Sequence, residues 1–495
     1  MILWPDEGHR WEWWMVGVNL AFYVILTIIL LYLFLSVKYR VSHPFWSRQP
    51  VFHHLNLSWW GDPPGIIQRS VANVSATSYF DPWSTRVYEI GTGWDGGGGG
   101  AEGVSGNGRS TLSTTTPSDT VLFGFNSQII QQSWETERAL RHAWHLIRGH
   151  YLRHPGLAEY TPPWKQFISH CMSHTSPCHI SLYFKPVTAH DSDIVAKGSL
   201  AIRYDKPVSC MMTRPARCLF LREKAVSTER QINRAVLPVG YVDFLCTHED
   251  YRKQSITPKL IYTHYKTLRD KVGAGTGLRT ASTPDQSVFL FKREGELAPF
   301  VPLLVYNSFL FDTLYWPSAG ARRDIEATVI NAENFPLFIR ALNHIEGDSR
   351  NLDIHIQADV ANIREQIAVG LLLPVVFVRK TDALAPFVGV MILRRSGTTF
   401  RSAGLLELIG VYMTDYNNRT EEQRAWFAAL VRDVCVHLTH SNQCRYLLIE
   451  DMGHTEEVLS ALHGKFTPQF KSPTAYYFYN YATHPVDRHR TWILL

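Results

Sequence analysis

The segment Gly240-Tyr-Val-Asp-Phe-Leu-Cys-Thr-His248 reads as a short buried strand. It gives way at once to a polar loop, Glu249 to Thr257, and then to an amphipathic run that opens at Pro258. Proline suits the first turn of a helix, where a missing N–H costs nothing. The three pieces therefore form one strand–loop–helix unit. Free backbone amides at such a helix start make an anion site, and Arg252 and Lys253 stand beside it. A unit of this kind presents a thioester at the strand end and holds a pyrophosphate at the helix start, which is what an acyl-CoA enzyme needs.

The same residues carry a family resemblance. Val242-Asp243-Phe244-Leu245-Cys246-Thr247-His248 resembles the glutamate–isoleucine–asparagine–phenylalanine–leucine–cysteine–x–histidine segment of N-myristoyltransferases, and Arg252 to Pro258 resembles the CoA-pyrophosphate loop that follows it. Pro44-Phe45-Trp46-Ser47-Arg48-Gln49-Pro50-Val51 is similar to an N-terminal segment of that family, and Ala475-Tyr-Tyr-Phe-Tyr-Asn-Tyr481 to its tyrosine-rich last strand. The matches keep their order over residues 43–495, with divergent stretches between them.

Composition sets the remaining bounds. A chain of 495 residues is too long for one ordinary core and implies two to four domains. A net charge of +5, dispersed and without a basic stripe among the aromatics, argues against nucleic acid as a partner. Trp14 to Val37 is almost wholly apolar and long enough to cross a bilayer, with Trp11, Trp13 and Trp14 at one end and Tyr32 and Tyr39 toward the other as interfacial anchors. It lacks the basic leading flank and small-residue cleavage site of a signal peptide. Lys38, Arg40 and Arg48 follow the span, so the positive-inside rule places the large C-terminal part in the cytosol. The seven irregularly spaced cysteines suit reduced thiols there. Sequons at Asn56, Asn73 and Asn418 would speak for a lumenal domain only if used.

The expected fold class is α/β, with two fused GNAT-like halves behind one transmembrane helix. The expected domains are residues 1–40 with the span, 41–300 with the acyl-CoA site, and 301–495 with the peptide site. Residues 91–120 are low in complexity and expected to be a disordered loop. Helices are expected at Gln128–Leu152, Ala332–His344, Glu421–Leu438 and Glu456–Leu462. Strands are expected at His179–Phe184, Gly198–Tyr204, Val208–Thr213, Cys218–Leu221, Tyr241–Cys246, Leu371–Val378, Phe387–Leu393, Leu405–Tyr412, Tyr446–Glu450 and Tyr476–Tyr481. By eye the sequence has no internal repeat.

The resemblance assigns roles residue by residue. The amides of Phe244 and Leu245 form the oxyanion hole for the thioester carbonyl. Arg252, Lys253, Gln254, Ser255, Ile256 and Thr257 form the phosphate loop, with Gln254 and Ser255 where the family is basic. Phe45 and Trp46 fold over the adenine end of CoA. The terminal carboxylate of Leu495 takes a proton from the substrate's glycine ammonium. Tyr151 and Tyr160 align loosely with tyrosines of the peptide groove, and Thr280 with a threonine near the attacking amine. Arg153 and His154 replace an acidic run, and Lys465-Phe466-Thr467-Pro468-Gln469 replaces a lysine–phenylalanine–glycine–x–glycine–aspartate–glycine turn, both in the peptide-recognition region. His170-Cys171-x-x-His174-x-x-x-Cys178-His179 matches no standard zinc spacing, so no metal and no permanent cofactor are expected.

The implied activity is transfer of a long-chain acyl group, myristoyl by the resemblance, from acyl-CoA to the N-terminal glycine of a protein, with acyl-CoA as co-substrate and a bilayer as the anchoring partner. Three rivals stay open: a non-catalytic binder of acyl-CoA or acyl-peptide, a GNAT enzyme using a short acyl-CoA, and a membrane structural protein.

Overall fold

The computed structural model describes residues 7–68, 78–91, 119–152, 157–187, 204–221, 235–274, 288–316, 325–348, 351–380, 387–462 and 464–495, with backbone alone for 7–13, 119–133, 204, 235 and 271–274. Thr280, Asn73, Arg153, His154, nearly all of the 91–120 loop and most of the Gly198–Tyr204 strand candidate lie outside the described residues.

The first element is a helix, Glu7–Ser42. Its Trp14–Ser42 part is 29 residues with a mean hydropathy of 2.7, and none of its apolar window is covered by the rest of the chain, so it has no one stripe to bury against a core. At 1.5 Å per residue that part is about 43 Å long, enough to cross a bilayer. Its C-terminal end is tied to the arm that follows: Tyr39 Oη lies 3.1 Å from His53 Nδ1 and Tyr32 Oη donates to Leu55 O.

The remainder is built on a 16-stranded sheet. Cys178–Val187, Tyr204–Phe220 and Ala235–Thr247 form an antiparallel meander; the helix Ile256–Ala274 then crosses over, and Phe289–Glu294 returns parallel to Ala235–Thr247. The second half repeats the plan. Leu372–Arg379, Phe387–Arg394 and Ala403–Met413 are antiparallel; Glu421–Ser441 crosses over, and Cys444–Glu450 returns parallel to Ala403–Met413. Glu421–Ser441 opens on a full capping box between Thr420 and Gln423. Phe470–Tyr479 and Leu304–Asp312 join the two parallel pairs into one sheet. This mixed α/β architecture, two βαβ units behind one long apolar helix, is the expected fold class.

Two expectations need correction. Val208–Thr213 and Cys218–Leu221 belong to a single strand, Tyr204–Phe220. Arg214 and Pro215 made the middle look like a turn. Arg214 is instead buried and bonded to Asp243 on the next strand, while Pro215 falls between Thr213, paired with His179, and Ala216, paired with Ala358, where a missing N–H disturbs neither outer ladder. The tyrosine-rich strand is also not the last. Thr491–Leu494 follows it, parallel to Ile354–Ala358.

Candidate active site

The centre of the site is a break in pairing. Cys210 faces Cys246 and Met212 faces Asp243, so Phe244 and Leu245 together oppose Met211. This is a β-bulge, and Phe244 takes the left-handed conformation at φ 51°. Such strain costs a bulky residue about 1–3 kcal/mol and persists only where packing over-determines it. The Phe244 ring supplies that packing: its centroid lies 5.2 Å from His170, 5.4 Å from Phe167, 6.0 Å from Tyr160 and 6.1 Å from Tyr151.

The parallel neighbour leaves at the same level. Phe289–Glu294 pairs with the bulged strand only through Gly240, Tyr241 and Val242. From Asp243 onward the two strands part, and a cavity of ≈ 740 Å³ fills the gap. Asp243, Phe244 and Leu245 line one wall, and Phe289, Phe291 and Lys292 the other. Its volume and mostly apolar walls suit a ligand of drug size or larger.

Beyond the bulge the chain makes an anion cradle. Lys253 and Ser255 are left-handed, at φ 63° and 57°, with Gln254 between them outside that region. Alternation of this kind turns successive N–H groups toward one point. The helix Ile256–Ala274 begins at once, so the cradle runs into a helix N-terminus. Pro258 sits in its first turn, and the helix starts two residues before this sequence-derived start because buried Ile256 already packs with Tyr183, Val208 and Leu260. Arg252 is used otherwise than expected: its guanidinium donates to His150 O at 2.7 Å and to Thr247 O at 3.2 Å, neutralising the C-terminal end of the Asp119–His150 helix. Gln254 accepts from Lys185 Nζ, and Thr257 Oγ1 meets Thr247 Oγ1 at 2.9 Å. Lys185 stands directly across the ladder from Lys206. Like charges in that position repel, and both ammonium groups lie over Tyr251, at 5.2 and 6.0 Å. The sequence reading missed this lysine pair, whose only signal was one lysine on each of two neighbouring strands.

The arm comes back onto the cavity. Phe45 and Trp46 line it, Phe45 buried edge-on against Tyr79 and Trp46 stacked on Phe291 at 6.1 Å. Tyr151 and Tyr160 line it too, 5.4 Å apart, behind the Phe244 ring. Leu495 does not. It is buried with Tyr241, Tyr306 and Tyr476, and of that cluster Tyr241 alone also lines the cavity among the described residues. Registers explain why: Leu494 pairs with Gln357, Gln357 with Arg217, and Arg217 with Pro238. The chain end thus runs parallel to the bulged strand, with Leu494 in register with Pro238.

Residues from both halves form a charged wall that the sequence did not announce. Lys292 Nζ lies 2.6 Å from Glu450 and 2.8 Å from Glu294, and Arg394 bonds Glu407 at 2.6 Å. Burial alone would lower the Lys292 pKa, but Glu294 and Glu450 hold it above its ordinary value. On the first-half side Arg214 Nε donates to Asp243 Oδ2 at 2.8 Å, and His170 Nδ1 lies 4.0 Å from the same oxygen. Burial, reinforced by Arg214, pushes the His170 imidazole down to about 3, so it is neutral.

In the His170–His179 segment, His174 is tied into the fold. His174 Nδ1 lies 3.2 Å from Asp359 and its Nε2 3.0 Å from His170 O, while Cys171 and Cys178 are buried. Among the described residues no three His, Cys, Asp or Glu side chains are grouped to hold a metal.

The sequence matches no protein-family model and no curated protein. The fold does have known counterparts. A Saccharomyces cerevisiae N-myristoyltransferase with bound myristoyl-CoA superposes with a TM-score of 0.57 at 11% identity, over 91% of this chain and 94% of that one. A second structure of that yeast protein, with myristoyl-CoA and inhibitors, gives 0.57 at 12% identity over 93% and 95%. At this identity the likeness establishes the fold: the chain is built on the N-myristoyltransferase plan across nearly its whole length.

Proposed function

We propose that this protein is a membrane-anchored acyltransferase that moves a long-chain acyl group, myristoyl in the first instance, from acyl-CoA to the N-terminal glycine amine of a protein. The observation that carries the reading is the strand pair that parts at a bulge. Where Ala235–Thr247 and Phe289–Glu294 separate, a thioester entering the gap meets the bulge at Phe244 and Leu245, whose amides are the proposed oxyanion donors. The cradle at Lys253–Ser255, the following helix start and the Lys185–Lys206 pair supply the pyrophosphate site, and Phe45 and Trp46 close over the bound cofactor end. The yeast structures carry myristoyl-CoA on the same fold.

In this reading residues 41–300 carry the acyl-CoA site and 301–495 the acceptor side, with Tyr151 and Tyr160 between them. The Trp14–Ser42 helix crosses the bilayer with the sheet domain on the cytosolic side, because Lys38, Arg40 and Arg48 follow it. Transfer is direct: the amine attacks the thioester carbonyl, the C–N bond forms, the C–S bond breaks and the electron pair leaves on sulfur. A carboxylate must first take a proton from the ammonium. The family resemblance points to the carboxylate of Leu495, which is buried in the same cluster as the cavity-lining Tyr241.

Titration calorimetry of the full chain in detergent micelles tests the reading. Myristoyl-CoA should bind at least tenfold more tightly than acetyl-CoA, since the cavity walls are mainly apolar. Equal affinity for both would favour a short-chain enzyme, and absence of binding would end the proposal.

A further inference from the structure

The arm behind the long apolar helix turns back along it. Tyr39 Oη meets His53 Nδ1 at 3.1 Å, and two turns nearer the helix N-terminus Tyr32 Oη donates to Leu55 O at 3.4 Å. From Trp14 to Val37 the helix carries no ionisable charge, and Lys38 is the first cation after it. A lysine at that point snorkels to the headgroups and sets the leaflet boundary beside it. Tyr32 lies six residues before Lys38, about 9 Å inside that boundary at the α-helical rise. Leu55 is held at the same level, so the turn that follows it, Asn56 to Gly61, lies below the headgroups too. Its composition agrees. Residues 55–61 include no ionisable side chain, and Leu57 is 67% and Trp60 42% exposed. Trp60 Nε1 already donates to His54 O at 3.2 Å, so its ring can enter lipid without stranding a polar group. Between Tyr32 and the Leu55–Trp59 turn an open cleft of ≈ 380 Å³ faces the same way.

We propose that the short helix Leu57–Gly61 is a second membrane contact, which inserts Leu57 and Trp60 among the phospholipids of the leaflet on the sheet-domain side. The inference rests on the Trp14–Ser42 helix crossing the bilayer, as proposed above, and is independent of the acyl-transfer chemistry. Its occupant is lipid because the surface continues the span: the Tyr32–Leu55 bond joins the two, and its depth matches the roughly 5–10 Å of an interfacial helix. The contact is rigidly joined to the sheet. Phe52, buried with Val301 and Ala482, lies 5.7 Å from Trp59 and 5.1 Å from Trp60. Asn480 N donates to Pro50 O at 2.7 Å, Val301 N donates to Phe52 O at 2.8 Å, and His484 Nε2 lies 2.8 Å from Trp60 O. A single spanning helix leaves a domain free to swing about its end. A second contact, built into the arm and tied to the sheet, fixes the domain against the membrane. Phe45 and Trp46 lie on the arm between the two contacts, so one wall of the cavity is held at the bilayer surface.

The test uses the full chain in phosphatidylcholine vesicles. All seven native cysteines are buried, so a maleimide-linked fluorophore sensitive to polarity reports only an introduced thiol. Three positions are compared: Ser58→Cys in the proposed contact, Thr27→Cys within the span, and Glu422→Cys on the exposed start of the Glu421–Ser441 helix. With phosphatidylcholine brominated near the headgroup end of its acyl chains, the Ser58→Cys probe should lose about half its emission, and less with bromines at the chain ends. Aqueous iodide should quench it about threefold less than the Glu422→Cys probe. Adding Leu57→Asp and Trp60→Asp should reverse both results. A Ser58→Cys probe that bromine leaves bright and iodide quenches as fully as the Glu422→Cys probe overturns the proposal, whether or not the doubly charged variant folds. Protection from iodide without bromine quenching, growing with the protein-to-lipid ratio, would place a second copy of the chain on this face and overturns it equally. Bromine quenching that survives in the folded charged variant overturns the assignment to Leu57 and Trp60. A Thr27→Cys probe that no brominated lipid quenches is a separate result, and counts against the spanning helix itself.

Discussion

Gly240 lies directly opposite Phe289 across the parallel strand pair, and a Cβ at position 240 would come within 2.8 Å of the Phe289 ring. This close approach sets the apex from which the two strands diverge. Three residues further on Asp243 has no partner on that side, and the cavity begins. A side chain at 240 therefore acts on the wedge before it acts on any ligand.

Gly240→Ala should displace the Phe289 ring, which is buried and also lines the cavity. Overpacking of this kind costs about 1–3 kcal/mol. The expected result is a fall of several degrees in the midpoint of thermal unfolding together with weaker long-chain acyl-CoA binding, followed by circular dichroism and calorimetry on the same preparation. Unchanged values in both would show that the apex tolerates spreading.

Leu245→Pro removes one proposed oxyanion donor. Because Leu245 shares the bulge opposite Met211, proline there disturbs less of the ladder than in a regular strand. Losing one such donor costs on the order of a hundredfold or more in rate. Single-turnover transfer should drop by at least that factor while acyl-CoA affinity holds. A folded Leu245→Pro protein with the wild-type rate would remove the bulge from the chemistry.

Lys185 and Lys206 face each other across the ladder, so an incoming phosphate relieves their repulsion. Lys206→Glu should weaken CoA binding about tenfold or more, and the loss should shrink as salt is raised. A pantetheine thioester lacking the nucleotide should bind both proteins alike. If it too weakens, the lysine pair is supporting the fold and not the phosphates.

Most of the secondary structure was legible because each element announces itself locally. The apolar run of Ala235–Thr247, the capping residues Thr420 and Gln423 and the long apolar Trp14–Ser42 helix need no tertiary information. The Phe45–Trp46 arm and the Arg252–Thr257 loop were singled out through a family resemblance, and Phe45, Trp46 and Thr257 line the cavity. What escaped depends on distant partners. Arg214 looks like a turn residue until Asp243, on another strand, pairs with it. Lys292, Glu450, Arg394 and Glu407 are ordinary surface-type charges until four strands bring them to one wall. The left-handed Phe244 cannot be read from composition, because nothing in the sequence marks a phenylalanine for a conformation that favours glycine.

Acid should loosen this protein before it charges the active site. Burial pushes His170 and His454 down to about 3 and His355 down to about 4. His454 Nδ1 accepts the Met413 N–H at 2.9 Å, which requires that nitrogen to be unprotonated. Between the ordinary histidine value of about 6.5 and these lowered values, the unfolded chain binds the extra protons, so stability rises with pH across that window and is lost on acidification. At pH 5 the expected cost is about 2 kcal/mol per group, and above pH 7 none. The thermal midpoint should fall clearly from pH 7 to pH 5; a midpoint that stays level would mean that these imidazoles are solvated.

Extending the chain by two residues beyond Leu495 tests the terminal carboxylate as the base. Leu495 is buried in the cluster that also holds Tyr241, so the extension should lower the unfolding midpoint. At a temperature where the protein remains folded, the single-turnover rate should fall about a hundredfold with acyl-CoA binding intact, because misplacing a base by even about 1 Å costs on the order of that factor. A rate within about threefold of wild type would remove the terminal carboxylate from the chemistry.

The most direct test of the whole account is a single-turnover reaction of the purified full chain with myristoyl-CoA and a glycine-initiated peptide, read by mass spectrometry of both protein and peptide. The account predicts one myristoyl group in amide linkage on the peptide's N-terminal nitrogen, equimolar free CoA, and no acylated protein at any time. Bound myristoyl-CoA with no amide product would make the protein a binder of acyl-CoA, and an acylated protein intermediate would contradict direct attack.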